Sequence, residues 1–412
     1  MFIAILGRQP ALGTAELEAT YGSTAILPLL PGIVLVKADQ FNISHFGGIK
    51  KAGKVLSVAG FNERSNKLVE YLSNLPDGKI TLGFSYFTKD SIKAAQRNSF
   101  AIQNILKKQG RSVRLVPQNE VMLSTATSHH NKLGLSTNKV EVLFIGTPDK
   151  LYTAISTGAQ NITAYAARDQ KRPKRDAFVG MLPPKLAQII VNLAISKGTL
   201  DQCPVSGQSA FAEGKNARLG GQRSGAEPRP YPTILDPFCG TGVVLQEALL
   251  MGYNVYGTDL SDKMVDYSRE NLEWLISRSG GGRSANITLE PGDATDHRWQ
   301  PPIDAIASEV YLGQPFSATP SPAKLAEVRQ TCRRITIDFL TNLAPQVKPG
   351  TPLCLAVPAW RTHKGWQRLD ILDTIHKLGY NIQEFKHVKQ HDLLYYRESQ
   401  FVGRELLVLK RS

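Results

Sequence analysis

The chain has few cysteines, a shortage of acidic relative to basic residues, and no long apolar run. Its four cysteines, Cys203, Cys239, Cys332 and Cys354, form no Cys-x-x-Cys pair and have no histidine at zinc spacing, so no metal is expected. Cys239 falls inside a glycine turn, where a small residue packs well and a nucleophile is not implied. No apolar stretch approaches the roughly 20 residues that span a bilayer. The opening Met1-Phe2-Ile3-Ala4-Ile5-Leu6-Gly7-Arg8 lacks the basic start of a secretory leader. A cytoplasmic protein is therefore expected. Also missing is the dinucleotide pattern Gly-x-Gly-x-x-Gly, because Val243, Val244 and Leu245 follow Gly242. That argues against a pyrophosphate ligand and an NAD oxidoreductase.

At 412 residues the chain is long enough for two or three domains. Its net charge of +14 favours a polyanionic partner, although many basic proteins bind no nucleic acid. The distribution says more than the total. Between His45 and Leu115 thirteen bases face only Glu63, Glu70, Asp77 and Asp90. Arg168, Lys171, Arg172, Lys174 and Arg175 form a second cluster. A solvated face normally mixes signs more evenly, so a surface that tracks a phosphate backbone is the favoured reading.

Alternating and helix-spaced apolar residues predict α/β structure throughout. Residues 1–61 read as an N-terminal α/β domain, with strands at Phe2–Leu6 and Ile33–Lys37 and a helix at Leu12–Tyr21. Residues 62–166 read as a second α/β domain without an evident nucleophile or acid pair, suited to binding. Its strands are expected at Ile80–Tyr86, Val113–Val116 and Val140–Ile145, and its helix at Asp90–Gln109, ending at Gly110. Residues 167–180 form a basic linker. Residues 181–412 read as a catalytic domain entered by a helix over Leu182–Ala194. Glycine-rich residues 196–230 are expected to be a mobile insertion, and Ser277–Ser284 a flexible loop. A hairpin is expected to pair Asp392–Tyr396 with Glu405–Leu409.

Strong chemical signals lie at strand ends. An apolar strand, Tyr231–Leu235, runs into Asp236-Pro237-Phe238-Cys239-Gly240-Thr241-Gly242 and then a helical run, Val243–Met251. Asn254–Gly257 leads to Asp259-Leu260, Ile287–Leu289 to Asp293-Ala294, and Ile303–Ala307 to Glu309-Val310-Tyr311. Four such ends describe a crevice at the carboxyl edge of a parallel sheet. The spacing resembles that of S-adenosylmethionine (SAM)-dependent methyltransferases. Gly240 and Gly242 would let the backbone approach the ligand. Asp259 would accept from the ribose hydroxyls, Asp293 from the adenine amine, with the Ala294 N–H donating, and Asp236 would orient the methionine ammonium. An isolated Asp after a strand is ordinarily a helix cap, but three in this order are poorly explained that way.

Methyl transfer to an exocyclic amine needs the amine's hydrogens accepted and the base held for in-line attack. Amino-methyltransferases do this with an Asp/Asn-Pro-Pro-Tyr box, which Glu309-Val310-Tyr311-Leu312-Gly313 resembles. Glu309 and the Val310 carbonyl would be acceptors, and Tyr311 the stacking platform. A loop Glu beside a half-buried Tyr is the plainer alternative.

The chain as a whole resembles the THUMP-containing tRNA guanine-N2-methyltransferases that act on guanosine 10. The likeness rests on Leu6–Leu12 with Ala15–Glu18, Leu106–Arg114, and Leu123–Ala126 through Asn131–Leu133. It continues in Tyr165–Asp169, Arg172–Asp176, Met181–Ala187, Tyr396-Arg397 and Val402–Glu405. It implies a Rossmann-like class I methyltransferase domain preceded by a THUMP-like RNA-binding domain, with SAM as cofactor and tRNA as partner. Phe238, Leu260, Pro183 and Lys185 join the implied cofactor-binding residues. Lys107, Lys108, Arg111, Arg114, Arg168 and Arg172 become phosphate-contact candidates. His129, His130, Asn131 and Lys132 would meet terminal nucleotides or form an ordinary polar turn. Some members of that family use a small activator subunit; no docking site for one is evident here. Other readings are an rRNA or DNA amino-methyltransferase, or a non-catalytic RNA-binding protein that has kept the fold.

Overall fold

A computed structural model describes residues 1–59, 66–176, 182–195, 231–278, 286–314, 316, 320–398 and 400–412. The expected insertion 196–230, most of the expected 277–284 loop, and Met181 lie outside the described residues. Two compact units are present: Met1–Leu17, Ser23–Ser44 and Gly48–Tyr165; and Glu18–Gly22, His45–Gly47 and Ala166–Ser412.

The first unit holds one eight-stranded sheet in the order β2-β3-β1-β4-β8-β7-β5-β6. Its strands are β1 (Phe2–Leu6), β2 (Ile26–Leu30), β3 (Ile33–Val36), β4 (Ile49–Ala59), β5 (Ile80–Phe87), β6 (Val113–Leu115), β7 (Lys139–Gly146) and β8 (Leu151–Ala159). The helices met in this stretch of chain are α1 (Pro10–Tyr21), α2 (Asn66–Ser73), α3 (Ile92–Lys108) and α4 (Thr125–His130). The division expected at residue 61 does not separate two sheets. β4 pairs antiparallel with β1 on one side and β8 on the other, joining both expected domains in one hydrogen-bonded layer. β4 is hard to read in sequence because Lys50, Lys51 and Lys54 interrupt its apolar alternation. One of these lysines points inward. Lys51 Nζ lies 2.5 Å from the Glu141 carboxylate and donates to the Leu123 carbonyl at 2.7 Å, while Ser85 donates to the same carboxylate at 2.6 Å. Burial lowers the Lys51 pKa, with Glu141 opposing that shift.

The second unit contains a sheet whose main path runs β11-β10-β9-β12-β13-β17-β15. These are β9 (Thr233–Asp236), β10 (Asn254–Asp259), β11 (Ile287–Pro291), β12 (Ala305–Glu309), β13 (Pro352–Thr362), β15 (Tyr380–Ile382) and β17 (Val402–Arg411). β14 (Gly365–Arg368) pairs with β13, and β16 (Leu394–Tyr395) with β17. β9 to β13 run parallel, and β17 is antiparallel to both β13 and β15. The remaining helices are α5 (Ile162–Gln170), α6 (Pro184–Ala194), α7 (Val243–Leu250), α8 (Asp262–Arg278), α9 (Pro322–Leu343) and α10 (Leu372–Lys377). The core gathers Leu235, Ile306, Val310, Phe339, Leu355, Trp360 and Leu407. Near-continuous apolar runs in β9, β12 and β13 reflect a sheet buried on both faces.

Candidate functional site

Three acids are the final residues of three adjacent parallel strands: Asp259 of β10, Asp236 of β9 and Glu309 of β12. With strands about 4.8 Å apart, the three span about 10 Å of one sheet edge. On one side of β9 the chain continues to β10, and on the other to β12, so this edge is where the strand order reverses.

Asp236 is buried. Its Oδ1 accepts from the Ser308 hydroxyl at 2.6 Å and the Phe238 N–H at 3.3 Å. Burial pushes its pKa up to about 7, and nearby Asp259 and Glu309 add to that while the hydrogen bonds resist it. Asp259 accepts from Gly240 N–H at 2.9 Å and Ser261 N–H at 3.0 Å, and burial raises its pKa as well. Beside it, Leu260 is 76% exposed, an apolar side chain left in water at the crevice rim. Phe238 packs edge-on against Phe339.

Gly240 and Gly242 adopt φ of 51° and 80°. The missing Cβ of Gly242 faces inward, where it would come within 2.9 Å of the Ser268 hydroxyl oxygen. This glycine therefore allows close packing on α8. Ser268 donates to the Gly240 carbonyl at 2.8 Å, and the Asn271 amide donates to Thr241 O at 2.9 Å. The same Asn271 donates to Lys174 O at 3.0 Å and accepts from Lys174 N–H at 2.9 Å. Ser268, Asn271 and Ser308 escape a reading of strand ends alone; for the first two, their i, i+3 spacing on α8 is the signal that could have found them.

Asp293 lies just past β11, where its Oδ1 accepts from the Thr295 N–H and hydroxyl. Buried Ala294 accepts at its carbonyl from Asn342. Pro183 precedes α6, which carries Lys185 in its first turn.

The Glu309–Gly313 stretch is ordered by contacts that its departures from Asp/Asn-Pro-Pro-Tyr permit. Glu309 Oε1 accepts from Arg404 Nε at 2.6 Å, and the two side chains are 14% and 7% exposed. Val310 is buried and its N–H donates to Ala356 O at 3.1 Å, which a proline could not do. Tyr311 projects outward, 42% exposed, with partial burial raising its phenol pKa. Gly313 follows at φ 91° against Val328.

The basic and polar residues expected to meet RNA fall into two groups. Lys107, Lys108, Arg114, His130 and Lys132 are exposed, and Asn131 half-buried at the end of α4. His129 lies 3.3 Å from Thr163, and its pKa is lowered by burial and then by His130. Three arginines are turned inward. Arg111 donates to Leu75 O and Pro76 O at 2.8 and 2.7 Å and pairs with Asp77 at 3.3 Å. Arg168 binds buried Glu247 through two nitrogens, at 2.7 and 3.2 Å. Arg172 is 4% exposed, its buried guanidinium nitrogens have no hydrogen-bond partner among the described residues, and burial lowers its pKa. Arg111 and Arg168 are thus engaged by carbonyls and by carboxylates of their own units.

A parallel sheet with one reversed strand next to its far edge, and acids on the ends of its central strands, is the Rossmann-like fold of class I methyltransferases. No protein-family model matches the chain. It is similar to the protein named tRNA (guanine(10)-N2)-dimethyltransferase from Methanothermobacter thermautotrophicus, 29% identical over 192 residues, covering 47% of this chain and 42% of that protein. It is 56% identical over 83 residues to the protein of the same name from Pyrococcus abyssi, covering 19% of this chain and 23% of that one. The matched stretches thus span less than half the length of these curated relatives. Among solved structures, TrmN from Thermus thermophilus aligns with a TM-score of 0.48 at 15% identity, over 100% of this chain and 99% of that one.

Proposed function

We propose that the protein is a SAM-dependent methyltransferase acting on the exocyclic N2 amine of a guanosine in tRNA, position 10 being the position in its relatives' name. The observation that carries this reading is Glu309, clamped by Arg404 at the end of β12 beside Asp236 and Asp259. A carboxylate held in this way only accepts hydrogen bonds. Guanine offers two adjacent donors, N1–H and N2–H, whereas adenine and cytosine present a ring-nitrogen acceptor beside their amine. The acceptor-only side chain favours the guanine edge.

The residues fit the donor. Asp259 would exchange its backbone partners for ribose hydroxyls, with exposed Leu260 covering the adenine, and Asp236 would meet the methionine ammonium. Asp293 and Ala294 would line the adenine end, and Pro183 and Lys185 the methionine end. When bound, SAM supplies an electrophilic sulfonium methyl. Tyr311 would stack on the base, which leaves its helix to reach the site. Glu309 would take an N2 hydrogen bond and orient the amine, with the Val310 carbonyl as second acceptor. The exposed bases of the first unit, Lys107, Lys108, Arg114 and Lys132, would hold the RNA backbone.

The test is tritiated-methyl transfer from SAM to unmodified tRNA, with rRNA and DNA alongside and nucleoside analysis of the products. N2-methyl- or N2,N2-dimethylguanosine in tRNA alone is the expected result. Methylated adenine, or transfer confined to rRNA or DNA, would overturn it.

A further inference from the structure

Register carries part of the second unit beyond the acceptor box. Glu309 pairs with Ala356, yet β13 continues from Val357 to Thr362 before turning into β14. At about 3.3 Å per residue that extension projects about 20 Å past the end of β12. The turn is His363–Lys364, closed by the Thr362 hydroxyl on Gly365 O at 2.8 Å.

This hairpin carries an aromatic and cationic cluster. The Arg361 guanidinium lies 5.1 Å from the Trp366 ring centre and 5.4 Å from that of Tyr396, and it donates to Glu398 O at 2.7 Å. Trp366 and Tyr396 are 5.3 Å apart at 45°. His363, Lys364 and Arg397 are exposed around them, with Glu398 the neighbouring acid. The cluster is continuous with the box. Arg361 N–H donates to Phe401 O, and Phe401 meets Phe316 edge-on at 5.8 Å. Gly403, directly before Arg404, leaves room for the Trp366 ring, which a Cβ would crowd at 2.9 Å.

Half-exposed rings flanking a cation, with further cations around them and few acids, match a single nucleic-acid strand. Bases stack on the rings and phosphates meet the rim. We propose that the β13–β14 hairpin and residues 396–398 form a second RNA-contact platform, seating the unpaired nucleotides that flank the base inserted at Tyr311. The inference rests on the RNA-methyltransferase reading above. It gives the second unit RNA contacts of its own, in addition to the basic surface of the first.

The experiment measures methyl transfer against tRNA concentration and salt, together with SAM binding by calorimetry. It compares the wild type, Lys364→Glu/Arg397→Glu, and Trp366→Ala. The charge-reversed variant is expected to bind SAM normally and to raise KM for tRNA at least about tenfold. Its slope of log affinity against log salt should become shallower by about 1.4, since each lost single-strand phosphate contact removes about 0.7. Trp366→Ala should weaken tRNA binding about five- to hundredfold through lost stacking. Because Trp366 also packs against Gly403, next in the chain to Arg404, the exposed charge pair gives the decisive comparison. An unchanged KM and salt slope in that pair, with an active wild type, would overturn the platform alone. A wild type that binds SAM but methylates no RNA would overturn the functional reading and the platform with it.

Discussion

The carboxyl edge of the parallel sheet and the basic surface of the eight-stranded unit use charge under different constraints. At the edge, Asp236, Asp259 and Glu309 each terminate a strand, and the register of β9, β10 and β12 fixes their spacing. On the basic surface no register assigns a long side chain its partner. Lys107 and Lys108 reach solvent, whereas Arg111, a few residues on, closes the 75–77 turn by donating to its carbonyls. A guanidinium with five donors serves an orphan carbonyl as well as a phosphate. Charge at a strand end is therefore more readable than charge on a loop.

The largest expected effect is at the edge. Glu309→Gln should leave SAM binding intact and lower the transfer rate about 10²- to 10⁴-fold, the range for removal of a positioned acid–base group. Single-turnover transfer at saturating SAM and tRNA checks this, and a near-normal rate would remove Glu309 from the chemistry. In the other unit, Lys51→Met strands the buried Glu141 carboxylate and should cost about 3–5 kcal/mol. Urea unfolding followed in that unit would show it, and Lys51→Met/Glu141→Leu should recover most of the loss.

The next effect depends on pH. Burial raises Asp236 to about 7, so in the free protein its proton stays bound well above the ordinary carboxylate range. Its contribution to stability is full at pH below that range and is lost as pH rises through about 7. SAM binding should show the complementary trend, tightening as pH rises to about 7 because the ammonium needs the ionised form. Asp236→Asn should flatten both profiles; unchanged slopes would separate this carboxyl from the ligand. The smallest effect sharpens the contrast among the bases. Arg111→Ala should cost about 0.5–1.5 kcal/mol of stability through the lost hydrogen bonds, water reaching the freed carbonyls. Lys107→Ala/Lys108→Ala should leave melting unchanged and reduce the salt slope of tRNA binding.

The strands that deliver the site were legible because successive apolar runs, each ending in an acid or a glycine turn, seldom arise from helix capping alone. The eleven-residue β4 was not, since Lys51 lies buried where a sequence reading expects a solvated base. The Glu309–Tyr311 stretch was read without its partner. Arg404 lies 95 residues from Glu309 and meets it only because antiparallel β17 begins at the edge where β12 ends. The Arg168–Glu247 pair was hidden for a related reason, as the burial of Glu247 leaves no trace in local composition.

Asn271 ties the Lys174 backbone and the Thr241 carbonyl to one side chain. Whatever stiffens the glycine turn must also slow the opening of that strap, so the Lys174 amide becomes a built-in reporter of donor occupancy. Its deuterium uptake should fall when SAM binds and return to its free rate in Asn271→Ala, whether or not any RNA is present.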